Sequence, residues 1–144
     1  MVSKLTSNEM KEFVSNLKGA GNFKVMEKND IEIVIDQFKQ AATRAFKATL
    51  DGIEIHAGHG YVISSFLSAA TNQREDEYGG SLKNRMRLLV EIIDGIRSVV
   101  PRSFPIIVRL DGEEINIKNG LTSIESIEIA KSIESKVDAI HVSS

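Results

Sequence analysis

Three residues able to do proton chemistry fall within six positions, in the run His56-Ala57-Gly58-His59-Gly60-Tyr61. Two imidazoles three residues apart can converge on one oxygen if the chain turns between them. Gly58 and Gly60 permit such a turn, because glycine enters the left-handed region at little cost. Imidazole N–H groups donating to a carbonyl would polarise it and stabilise negative charge as it develops. Tyr61 adds a phenolic O–H that can deliver a proton. Each residue also has a plainer reading. A His-x-x-His pair is commonly structural or part of a metal site, and zinc would need a third and usually a fourth ligand. His141 is the only other histidine. Tyr61 taken alone reads as a packing residue.

The elements that would position these groups follow from periodicity. Residues 1–28 are weakly patterned, compatible with a short helix from about Ser7 to Lys18 before the break Gly19-Ala20-Gly21-Asn22. From residue 29 to 144 the pattern is stronger. Ile31, Val34, Ile35, Phe38, Ala41, Ala42, Ala45 and Phe46 recur at three- and four-residue intervals, one face of a helix, with Asn29 or Asp30 as its cap. Gly52-Ile53-Glu54-Ile55 is too short for a helix and reads as a strand, which puts His56 at its carboxyl end. A long glycine-containing loop with room for a short helix fills residues 57–80. Ser81 then caps a second helix carrying Leu82, Met86, Leu89, Val90, Ile93 and Ile96, and Pro101 and Pro105 punctuate its exit. Ile106-Ile107-Val108-Arg109-Leu110 is a second strand. Thr122 and Glu125 have the spacing of a capping box before a third helix with Ile124, Ile127, Ala130 and Ile133, and Ala139-Ile140-His141-Val142 is a third strand.

Strands that alternate with helices imply an α/β fold with parallel pairing, the strands enclosed on both faces. Ligand sites in such folds lie at the carboxyl ends of the strands, where His56 sits. Periodicity leaves two closures open, an open doubly wound sheet or a (β/α)8 barrel.

Composition removes several function classes. The 144 residues suit one domain, and a formal net charge of −2 gives no footprint for nucleic acid or an anionic membrane. The absence of cysteine excludes disulfides, thiolate zinc sites and a cysteine nucleophile within these residues. No apolar run approaches the roughly 20 residues of a membrane span. The N-terminal residues lack a signal-peptide core, so a cytoplasmic protein is expected.

The stretch from Asp51 to Arg87 continues after Tyr61 with Ser64-Ser65-Phe66-Leu67-Ser68 and then Thr71-Asn72-Gln73-Arg74-Glu75-Asp76-Glu77-Tyr78-Gly79-Gly80-Ser81-Leu82-Lys83-Asn84-Arg85-Met86-Arg87. From about Asn29 to Ser144 the chain strongly resembles the Old Yellow Enzyme family of NADH:flavin oxidoreductases, especially the bacterial branch near the 2-enoate reductases. The resemblance implies part of a TIM barrel, about three consecutive β/α units. It also implies FMN as cofactor, NADH or NADPH as reductant, and a small-molecule enone or related activated alkene as substrate. By the same resemblance His56 and His59 hold the substrate's carbonyl or nitro oxygen, and Tyr61 donates a proton to its α-carbon. Arg109 faces the N1/C2 carbonyl edge of the flavin, where a guanidinium stabilises the reduced, anionic form. Asn72, Arg74 and Arg85 are expected to be structural, and His141 has no catalytic role.

Thr49 and Lys136 stand where the family usually has a glycine ending the helix before a strand, and Ala69 stands for an expected proline. Left-handed backbone is expected at both of the first two positions. A (β/α)8 barrel takes about 250 residues, so these units are expected to be weak or inactive alone. Two alternatives remain from the residues themselves. One is a non-catalytic α/β module that self-associates through exposed strand edges, which recruit partners. The other is a metal-binding module using His56 and His59.

Overall fold

Apolar residues at helical spacing form α1 (Lys28–Lys47), the first element among the described residues, which buries Ile31, Val34 and Ala42. The computed structural model describes residues 25–143; the expected helix from Ser7 to Lys18 lies outside them. The N-cap of α1 is Glu27, not Asn29 or Asp30. Asp30 instead accepts the Glu27 backbone N–H at 2.8 Å. The acid therefore works from inside the first turn, where it also complements the helix dipole.

At the other end of α1 the Thr49 N–H reaches the Phe46 carbonyl (3.0 Å) and the Leu50 N–H reaches the Ala45 carbonyl (3.2 Å). This is the paired bonding of a Schellman ending, and Thr49 takes the left-handed conformation it demands, with φ +58°. A β-branched residue is strained there, so Thr49→Gly is expected to stabilise the chain by on the order of 1 kcal/mol. Thermal unfolding checks this, and an unchanged or lower midpoint would show that the strain is absent. Lys136 differs from expectation and is not among the residues of positive φ. Its N–H bonds to the Ile133 carbonyl at 2.8 Å, a tight closing turn that right-handed backbone makes without glycine.

Three strands follow, β1 (Ile53–Ala57), β2 (Ile106–Asp111) and β3 (Ala139–Ser143). They pair in parallel in the order β1-β2-β3. Between β1 and β2 lie α2 (Val62–Leu67), α3 (Leu82–Arg85) and α4 (Arg87–Arg97). Ser81 caps α3 by accepting the Asn84 N–H. The helix expected to run on from Ser81 is interrupted only at Met86, which keeps right-handed backbone. Between β2 and β3 lies α5 (Ser123–Ile133), headed by the capping box of Thr122 and Glu125.

The side chains divide the sheet into two unlike faces. Ile55, Ala57, Ile106, Val108 and Leu110 join the buried faces of α1, α2, α4 and α5 in one hydrophobic cluster. The opposite face presents Glu54, His56, Arg109 and His141, none of which belongs to that cluster. A doubly wound sheet buries both faces under helices. Sequential strand order with the apolar packing on one side is the arrangement of consecutive units of a barrel, polar face inward. The outer strands are accordingly less enclosed than the sequence suggests, and Val142 of β3 is 68% exposed.

The loop from Ser68 to Ser81 is held by the residues expected to be structural. Asn72 donates through Nδ2 to the carbonyls of Phe66 and Tyr78, each at 2.7 Å, and accepts the Arg74 N–H. Arg74 reaches the Met26 carbonyl at 2.7 Å and pairs with Asp76. That guanidinium holds the Asp76 carboxyl below its usual range. Arg85, 4% exposed, bonds the Leu67 carbonyl and pairs with Glu125, tying α3 to α5. Burial, reinforced by a 2.8 Å hydrogen bond to Glu91, pushes the Tyr78 phenol well above its ordinary range. No helix among the described residues is long and apolar enough to cross a membrane.

Candidate active site

The parallel ladder brings His56 opposite Arg109, and Arg109 opposite His141, in one row across the sheet. All three side chains lie on the polar face. Beyond His56 the chain reverses through a turn closed by the Tyr61 N–H and the Gly58 carbonyl at 3.4 Å. Its two central residues, His59 (φ +58°) and Gly60 (φ +70°), are both left-handed, as in a type I′ turn. The positive φ thus falls on a histidine and on Gly60. Gly58 serves space instead: a Cβ there would lie 2.4 Å from Asp111 Oδ1.

This turn gathers the three expected residues. The His56 and His59 rings are 5.0 Å apart, edge to face, and the Tyr61 ring is 5.1 Å from His56. Tyr61 is the N-cap residue of α2 and is 63% exposed. Arg109 donates through Nη2 to Ser143 Oγ at 3.0 Å. Its Nε and the Nδ1 of His56 are buried with no partner. Buried polar atoms without partners are rare and commonly mark a place for a ligand. His141 pairs with Glu54 at 3.0 Å, apart from the His56–His59–Tyr61 group.

Sequence reasoning passed over Asp111 and Ser143. Asp111 is 5% exposed; its Oδ2 accepts the His59 backbone N–H at 2.7 Å and the Ser64 hydroxyl at 3.4 Å. Its Oδ1 lies 3.6 Å from His59 Nε2, which is 2.7 Å from Ser143 Oγ. The signal available was an acid closing an apolar strand two residues after Arg109, at the end where ligand sites form. Among the described residues no group of three or more His, Cys, Asp or Glu is arranged to hold a metal ion.

Chemically, the arrangement offers two imidazoles and a phenol beside a guanidinium with unspent donors. That set suits an electron-rich, oxygen-bearing ligand plus a group that acquires negative charge. Known proteins resemble the chain as a whole. The NADPH dehydrogenase of Clostridium acetobutylicum is 44% identical over 121 residues, covering 84% of this chain and 36% of its own length. The 12-oxophytodienoate reductase 7 of Oryza sativa subsp. japonica is 38% identical over 121 residues, 79% of this chain and 31% of that protein. In a 2-naphthoyl-CoA reductase solved with 2-naphthoyl-CoA, the superposition has a TM-score of 0.79 at 38% identity over 88% of this chain and 20% of that one. The chain thus spans about a third of the length of these two curated relatives. The model of the NADH:flavin oxidoreductase / NADH oxidase family matches residues 4–144, and the chain belongs to that family.

Proposed function

We propose that these units form the substrate-facing wall of an FMN-dependent ene-reductase of the Old Yellow Enzyme type, reducing activated C=C bonds at the expense of NADH or NADPH. The observation that carries this reading is the convergence of His56, His59 and Tyr61 at the carboxyl end of β1, with Arg109 beside His56 on the same face. The plant reductase and the naphthoyl-CoA reductase among the relatives support a conjugated substrate.

The residues fit the cofactor. Arg109 keeps a buried, unpartnered Nε on the polar face, and a guanidinium there would hold the flavin's N1/C2 carbonyl edge. When bound, FMN supplies the two-electron carrier between nicotinamide and alkene. His56 and His59 hold the substrate's carbonyl or nitro oxygen, and hydrogen bonds from them favour charge on that oxygen. Tyr61 delivers the proton to the α-carbon.

The test is a chimera in which residues 29–143 replace the matching segment of the Clostridium acetobutylicum NADPH dehydrogenase. It is expected to purify with FMN and to oxidise NADPH in the presence of cyclohexenone. The isolated chain is expected to show weak turnover or none. A chimera that folds and holds FMN yet leaves the enone untouched would sink the reading.

A further inference from the structure

Asp111 is a buried acid whose two oxygens do different work on one residue. Oδ2 takes the backbone N–H of His59 at 2.7 Å. Oδ1 has no hydrogen-bond partner, is buried, and faces His59 Nε2 at 3.6 Å. The gap that admits the carboxylate exists because residue 58 has no Cβ. Ser64 links the same acid to the turn: its hydroxyl donates to Oδ2 at 3.4 Å and accepts the Gly60 N–H at 3.2 Å.

We infer that Asp111 is a positioning residue that holds His59 in the left-handed turn and keeps its proton on Nε2. A carboxylate only accepts hydrogen bonds, so an imidazole lone pair directed at Oδ1 is repelled and an N–H is attracted. Ser143, although nearer to Nε2 at 2.7 Å, does not decide the matter. Its hydroxyl can donate or accept, and Arg109 already fills one of its acceptor positions. Of the two neutral tautomers, Asp111 thereby selects the one protonated at Nε2, and a ligand oxygen accepting from that atom would do so in place of its present contact with Ser143. The consequence for substrate binding rests on the proposed function; the assignment of the proton does not.

The experiment reads the ring directly in the 15N-labelled chain, by long-range 1H–15N correlation near pH 8.5, about two units above the ordinary histidine value. His59 is expected to show a protonated Nε2 and a pyridine-type Nδ1. In Asp111→Asn the amide oxygen can keep the backbone bond while the NH2 group turns to Nε2. The tautomer ratio should then shift at least tenfold toward Nδ1–H. Ser143→Ala should leave the wild-type pattern in place. Three results would overturn the inference: Nδ1–H in the wild type, an unshifted ratio in Asp111→Asn, or a reversal in Ser143→Ala. The first and third need no Asp111 variant to fold. No flavin or substrate enters the measurement, so a chimera that fails to reduce enones leaves it intact.

Discussion

Replacing Tyr61 by phenylalanine in the chimera is expected to slow alkene reduction by about 10²–10⁴-fold, the range associated with a positioned proton donor. The fold should not notice. The residue is 63% exposed, its contact with His56 is between rings, and the cap it provides to α2 uses extended backbone without a side-chain hydrogen bond. Phenylalanine keeps all of these and removes only the hydroxyl group. Stopped-flow under anaerobic conditions separates the two half-reactions. Bleaching of the flavin by NADPH should be unaffected, while its reoxidation by cyclohexenone should carry the whole loss. Reoxidation within twofold of the parent would take the proton-donor role away from Tyr61.

The second large effect concerns stability. Gly79 and Gly80 are adjacent, yet they are glycine for different reasons. A Cβ on Gly79 would lie 2.0 Å from the Arg74 carbonyl oxygen and 2.5 Å from its carbon. That backbone cannot yield easily, because Arg74 is tied to Asn72, Asp76 and the Met26 carbonyl. Gly80 meets nothing within 4 Å but has φ +78°. Gly79→Ala is therefore expected to destabilise by about 4 kcal/mol or more, the exceptional end of single substitutions. Gly80→Ala should cost about 1 kcal/mol, the conformational term alone. Urea midpoints of the two variants decide it. Equal shifts would mean that the loop relaxes around the new methyl group.

What could be read from residues alone was what depends on near neighbours. Ser81 and the Thr122–Glu125 box are set by bonds within a few positions, and both stand as expected; the left-handed Thr49 was expected from the family resemblance, which misplaced Lys136. Capping by Asn29 or Asp30 failed because a box can place its acid inside the first turn, and spacing does not distinguish the two ends of the box. The His56–His59–Tyr61 grouping was visible because it is contiguous. Asp111 was not, since its bond to His59 spans 52 positions and exists only once the strands are in register. The choice of barrel over open sheet likewise depends on which face of β2 is bare, a property of packing and not of periodicity.

The row His56–Arg109–His141 has a bearing on how such a chain tolerates change in length. The three residues stand level because the ladder aligns them, and unequal lengths of chain connect them. Residues gained or lost in the connections leave the row where it is. One residue gained inside β2 would turn Arg109 toward the helices and bring an apolar neighbour to the polar face. Insertions and deletions should therefore be accommodated between the strands and rejected within them.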